Sequence, residues 1–150
     1  MRKAIAVLLV MMVYAGFAFA VEKVKDIRFI AHKNVTVLDT KTNLMWAAKD
    51  NGKDINWEDA QSYCENYRGG GYTDWRMPTQ DELAGLFDSS IIGNDDYHLT
   101  PLITLTGSCL WALETRRNAG AYFHFRYGTR HLTHQSNNIN GRALPVRNNK

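Results

Sequence analysis

Tyr72-Thr73-Asp74-Trp75-Arg76-Met77-Pro78-Thr79-Gln80-Asp81-Glu82-Leu83 holds, within a few residues, the change from extended backbone to helix. Residues 72–77 read as a short extended stretch, and Pro78 keeps the residue before it out of the helical region. Thr79 then supplies a side-chain oxygen for the free amides of a first helical turn. Glu82, three residues on, completes a capping box. Leu83, Leu86 and Phe87 give that helix its apolar face. Thr79 and Glu82 are accounted for by capping alone, and Asp74 and Arg76 can orient the stretch around Trp75 by pairing.

Upstream lies a second helix signal. Asn56 can cap free amides with Asp59 three residues later, and Trp57, Ala60, Cys64 and Tyr67 follow at helical spacing. Gly69-Gly70-Gly71 is expected to stop this helix. Further upstream, residues 35–39 are rich in β-branched side chains and residues 44–47 are apolar. Between them Asp39-Thr40-Lys41-Thr42-Asn43 reads as a turn with Asn43 left-handed, so the pair forms a hairpin. Residues 21–27 are a charged lead-in.

Downstream, periodicity is lost over residues 89–106, which read as a long loop. Residues 108–115 and 120–127 read as strands around the turn Arg116-Arg117-Asn118-Ala119. In the second, Ala121, Phe123, Phe125 and Tyr127 alternate with Tyr122, His124 and Arg126. Residues 131–141 read as polar loop and residues 142–147 as a last strand. Pro145 removes a ladder donor, so that strand should be an edge or locally irregular. Strands, two helices, then strands argue for an α+β fold with an antiparallel sheet. Trp46, Trp57 and Trp75 are expected in the core.

The N-terminus is of another kind. Arg2 and Lys3 precede an uncharged apolar run from Ala4 to Ala20 ending Ala18-Phe19-Ala20, the form of a secretory signal peptide over residues 1–20. The expected product is an exported protein, periplasmic or extracellular, whose folded domain spans residues 28–150. No further membrane span is expected after cleavage. The chain's formal charge of +3 is then misleading. Residues 21–100 carry 9 Lys/Arg against 14 Asp/Glu, a net of −5, whereas residues 101–150 carry 7 against Glu114 alone, a net of +6. Cys64 and Cys109 both lie in the exported part. An oxidising compartment favours a disulfide between them, worth on the order of 4 kcal/mol for a loop of about 46 residues. Two buried thiols set too far apart are the other reading.

The segments 56–64 and 72–83, with residues 39–46 upstream, resemble the Lcl C-terminal domain family. This is a bacterial family of unknown function named for a collagen-like adhesin. The resemblance implies a C-type-lectin-like fold, two helices flanking a twisted antiparallel sheet with the N- and C-terminal strands close together. It also implies adhesion, with sulfated polysaccharide as the ligand class. Relatives usually end in a strand reading Val-Arg-Cys-Val-Arg, whose cysteine can reach the helix cysteine. This chain has Ala143-Leu144-Pro145-Val146-Arg147 there, leaving Cys109 as the replacement partner. The motifs are similar to those of the formylglycine-generating enzyme superfamily too. Those enzymes hold copper through a C-terminal cysteine pair that this chain lacks.

The candidate site follows from the charge asymmetry. Arg116, Arg117, Tyr122, His124, Arg126 and Arg130 would form a basic surface for an anionic, sulfated or carboxylated polysaccharide or envelope polymer, since the guanidinium fork suits such groups. The blander reading is that these bases neutralise the acidic first half. A structural or protein-interaction module of the envelope without a glycan site is then the alternative function. The discriminating feature is whether the basic side chains gather on one surface or pair with Asp and Glu. His131-Leu132-Thr133-His134 would share a metal only if helical, and Asp95-Asp96-Tyr97-His98 lacks the alternation of a calcium loop. No catalytic motif, cofactor site, metal site or nucleic-acid partner is expected.

Overall fold

The computed structural model describes residues 28–137 and 139–150. The expected signal peptide, residues 1–20, and the lead-in, residues 21–27, lie outside the described residues. Among the described residues ten helices and strands follow one another: β1 Phe29–His32, β2 Thr36–Asp39, β3 Leu44–Ala47, α1 Trp57–Asn66, α2 Gln80–Leu86, β4 Cys109–Arg116, β5 Ala119–His124, β6 Thr129–His134, β7 Gly141–Arg142 and β8 Val146–Asn148. The class is α+β. The strands form two four-stranded sheets, ordered β1-β2-β3-β8 and β6-β5-β4-β7. All pairings are antiparallel except β4 with β7, which is parallel.

The single sheet expected from the sequence is therefore corrected to two, and residues 142–147 explain the difference. That segment is not one strand: it pairs first with β4 through β7 and then with β3 through β8. Pro145 sits between the two pieces, where its missing N–H costs no ladder bond, and its carbonyl accepts from the Ala47 amide at 3.0 Å. The C-terminal strand joins the N-terminal hairpin at β3 rather than at β1, which lies at the opposite edge of that sheet. The hairpin forms as the sequence implied, with Asn43 at φ 55°.

The helix signals hold at their starts. The Asn56 side chain accepts from the Asp59 amide at 2.9 Å. At α2, Thr79 Oγ1 accepts from the Glu82 amide at 3.1 Å while the Thr79 amide donates to Glu82 Oε2 at 2.9 Å. The stop of α1 differs. The helix ends at Asn66, ahead of the glycines, because Tyr67 turns extended to set its ring edge-on against Trp75 at 5.0 Å. The glycines then form a tight 3-10 turn, with Gly70 and Gly71 at φ 68° and 79°. A Cβ on Gly69 would lie 2.3 Å from the Tyr67 ring.

Alternation on β4 and β5 separates two cores. Leu110, Ala112, Ala121 and Phe123 join Leu83 and Leu86 of α2 and Val37 and Trp46 of the first sheet in the larger one. Trp111, between them in sequence, joins Trp57, Ala60 and Cys64 of α1 in the smaller. Trp46, Trp57 and Trp75 are all buried, as expected. The segment 89–106 is irregular but packed: Tyr97, Leu99, Ile103 and Leu105 enter the larger core.

Two further expectations are corrected. Cys64 and Cys109 are both free and buried. The β4 residue that shares the Cys64 cluster is Trp111, not Cys109, which lies two residues earlier on the strand. Residues 129–134 form a strand, β6, where polar loop was expected from residue 131 on. Burial leaves no alternating signature there, since five of its six residues are exposed.

Candidate functional site

The strands disperse the six basic and aromatic candidates. Arg116 ends β4 and Arg117, at φ 55°, begins the β4–β5 turn; both are exposed. Among the described residues neither guanidinium has a hydrogen-bond or ion-pair partner. Tyr122 and His124 lie on the face of β5 that carries Trp111 and Cys109 on β4, since these residues pair directly across the ladder. His124 is at the far end of β5 from Arg117, roughly 17 Å away at the rise of an antiparallel strand.

Arg126 does not continue the strand. β5 stops at His124, and the next residues turn back at Gly128, whose φ is 67°. There the Arg126 guanidinium donates to the Asp95 carbonyl at 3.1 Å and lies 5.9 Å from the centre of the Tyr97 ring. Arg130 is opposite Phe123, on the other face of the sheet from Tyr122, and pairs with Asp81 of α2 at 2.5 Å. One surface carrying all six is not formed, so the basic side chains converge less than the sequence implied.

Tyr122 stacks on His131 of β6 at 4.9 Å and His124 on Tyr127 at 4.6 Å. Burial, then the neighbouring His131 and Arg126, hold the His124 imidazole below the ordinary histidine value. Its Nδ1 faces the Arg126 amide at 3.3 Å, and Nε2 lies 3.4 Å from Ser108 Oγ. With Nδ1 accepting, the ring proton is on Nε2 and points at the hydroxyl, so the pair is not arranged as a nucleophile and its base. At neutral pH His124 contributes an aromatic face and no positive charge.

His131 and His134 are three apart on a strand, so their imidazoles face opposite sides of the sheet. Among the described residues no group of three or more His, Cys, Asp and Glu is placed to hold a metal ion. Nor is any helix there long and apolar enough to cross a membrane.

Arg142 and Arg147, further along the C-terminal third, hold the fold together. Arg147 is buried, donates twice to the Asp74 carboxylate at 2.6 and 3.1 Å, and covers the Tyr72 ring at 3.9 Å. Arg142 pairs with Asp54 and donates to Thr106 Oγ1 at 2.8 Å. Glu114, the lone acid of this third, accepts from the Gln80 amide at the start of α2, where a carboxylate suits the helix dipole. Arg76 grips Glu82 with two bonds of 2.6 and 2.8 Å. Burial disfavours the Glu82 carboxylate, but Arg76 and the Thr79 donors outweigh it and keep the group below its usual range.

These contacts explain the segment 72–83 residue by residue. Trp75 is buried and its indole donates to the Gly69 carbonyl at 3.1 Å. Arg76 ties the loop to β8 through reciprocal amide–carbonyl bonds with Val146 and ties α2 in through Glu82. Residues 35–147, this segment among them, match the model of the Lcl C-terminal domain. The chain belongs to the Lcl C-terminal domain family. No curated protein matches it. In this family member Trp75, Arg76, Thr79 and Glu82 of the motif all make contacts within the fold.

Sequence reasoning missed one feature of that surface. Two adjoining clefts of about 250 and 420 Å³ share Asn56 and Ser136 and lie between the start of α1 and the turn after β6. Lys53, Asp54, Glu58 and His134 also line them. No candidate binding residue does. The lining comes from separate parts of the chain with no spacing in common, so nothing in the sequence marks it.

Proposed function

We propose that this chain is an exported, non-enzymatic protein-interaction domain of the bacterial cell envelope, periplasmic or extracellular, built on a C-type-lectin-like fold. The carrying observation is the pairing of bases from residues 130–147 with acids from residues 54–81: Arg130 with Asp81, Arg142 with Asp54 and Arg147 with Asp74. With Lys150, 4.0 Å from Asp74, four of the seven Lys/Arg of residues 101–150 are thereby paired inside one molecule, and Arg116, Arg117 and Arg126 make no ion pair among the described residues. An α+β chain with two helices, two sheets and a C-terminal strand returning to the N-terminal hairpin is compatible with the C-type-lectin-like architecture that family membership suggests. The apolar N-terminal run and its small-residue end support export.

Binding of an anionic polysaccharide is the second reading, and it is supported by Arg116 and Arg117, which stand exposed at one hairpin tip. Two guanidinium groups in high dielectric give a weak, screened attraction. The test is titration of the purified chain with sulfated, carboxylated and neutral glycans across a salt series. The expected result is weak binding to the anionic set that vanishes by about 0.15 M salt, where the screening length is about 8 Å. Binding that persists there and is lost in Arg116→Ala/Arg117→Ala would overturn the protein-interaction reading in favour of the glycan.

A further inference from the structure

Four sheet edges are available for pairing, and the chain closes two of them itself. At β8, the Arg76 amide and carbonyl bond Val146 reciprocally at 2.9 and 3.0 Å. Beside β7, the Gly141 carbonyl accepts from Ile55 at 3.1 Å and the Ala143 carbonyl from Asn51 at 3.0 Å. Of the other two edge strands, β1 has four residues and β6 has six.

The outer side of β6 follows from its ladder. Gln135, in register beyond β6, donates to the Asn118 carbonyl at 2.9 Å. Antiparallel partners alternate between bonded and non-bonded pairs. With no register shift in the β5–β6 pairing, His131 and Thr133 bond inward while Arg130 and Leu132 turn their N–H and C=O groups outward. No bond to those backbone groups is found among the described residues. The strand is nonetheless held firmly: Gln80 of α2 donates its side-chain amide to the Tyr122 and His131 carbonyls at 2.9 and 3.0 Å, and Asp81 holds the Arg130 side chain. An edge fixed in place loses little freedom when a partner strand is added.

Charge selects the occupant. Arg116 lies in the same cross-strand row as Ala119 and His134, two strands in from the edge, with Arg117 in the turn beside it; Arg126 stands in the turn at the Thr129 end of β6, and Arg130 lies on the strand. From residue 115 to residue 134 there is no Asp or Glu. The acids nearest this region are Asp81 on Arg130, Glu114 on the Gln80 amide, Asp95 beside Arg126, and Glu58 and Asp59 in the clefts beyond His134. A second copy of β6 would bring like charges together, whereas an acidic strand would not. Leu132 is half exposed beside the edge and offers an apolar contact for one side chain of that strand.

Resting on the protein-interaction reading, we propose that β6 is a β-augmentation site that takes an extended acidic segment of a partner protein, bonded to the Arg130 and Leu132 backbone and flanked by the arginines at both ends. The probe is a fluorescent capped peptide of alternating Glu and Val, with two controls: the same peptide N-methylated at every second residue, and its Lys-Val counterpart. The full chain is expected to bind the Glu-Val peptide at least tenfold more tightly than either control. Leu132→Pro, which blocks an outward N–H without removing a bond to β5, is expected to abolish binding. Arg116→Ala/Arg117→Ala/Arg126→Ala is expected to weaken it about tenfold.

Equal binding of the N-methylated peptide would overturn the proposal and leave a polyanion surface. Absence of binding, or concentration-dependent dimerisation abolished by Leu132→Pro, would overturn it also. If Leu132→Pro does not fold, the comparison of methylated and unmethylated peptides on the unaltered chain decides. Failure of this peptide test with no salt-resistant glycan binding removes the β6 edge alone. Glycan binding that withstands salt removes the protein-interaction reading beneath it.

Discussion

Single side chains in this domain have sharply different fates according to what surrounds them. Cys64 sits on the buried stripe of α1 among Trp57, Ala60, Met77, Trp111 and Ala143. Burial pushes its thiol far above the usual value, and burial also raises Cys109, with Ser108 opposing. A thiol so placed is a small apolar filler and a poor nucleophile. In the native chain neither cysteine should react with a thiol reagent at neutral pH. After denaturation without reductant two thiols should titrate, and none would mean that the bond forms after all. Arginine shows the same dependence on surroundings. Arg147 is 5% exposed and locked between a carboxylate and a ring, while Arg116 and Arg117 stand in solvent. All three are the same letter in the sequence, and composition could not tell them apart.

Among the elements, α2 shows how a short helix is held. Its seven residues are too few to be stable by propensity. Instead the Thr79–Glu82 box closes its start, Glu114 accepts the Gln80 amide, and Leu83 and Leu86 are buried. Thr79→Ala removes one acceptor and should destabilise the chain by about 1 kcal/mol in denaturant unfolding. A loss well under half that would mean that the Glu82 and Glu114 carboxylates suffice. The box could be read directly from the sequence because capping is local. β6 could not, since its one apolar residue, Leu132, is half exposed among polar neighbours, and a period of two is visible only where burial imposes it. Ala121 and Phe123 mark β5 in the sequence for the same reason. The alternation runs on through Phe125 and Tyr127 past the end of the strand at His124, because the turn at Gly128 keeps Phe125 buried without keeping it in the strand.

For the molecule as a whole, ion pairs tie separate segments to one another, near in sequence for two and far for the third. Arg28 binds Asp39, Arg76 binds Glu82 and Arg147 binds Asp74. The three carboxyl groups are held below their ordinary values: burial raises Asp39 and Glu82, but arginine together with the Thr42 and Lys41 donors at Asp39 and the Thr79 donors at Glu82 outweighs it, and Asp74 is held mainly by its bond to Arg147. Each therefore binds protons more readily unfolded than folded. Their contribution is complete above the unfolded values of about 3.8 to 4.5 and is lost as pH falls through the folded ones. The melting temperature should fall as pH drops below about 4.5, and Glu82→Gln should flatten part of that fall. A profile flat from pH 5 to 2 would show that the pairs contribute nothing.

The sequence by itself determined the two caps, the first hairpin, the buried tryptophans, the α+β class and the family, because each depends on neighbours a few residues away or on a motif read whole. Tertiary structure alone decided the division into two sheets, the separation of Cys64 from Cys109, the scattering of the six candidate side chains and the free edge of β6. Those outcomes rest on pairings across many tens of residues, such as β3 with β8 and Arg147 with Asp74. Long-range pairings are set by which surfaces can be buried together, and a charge or a cysteine carries no mark in the sequence of the partner that packing will bring to it.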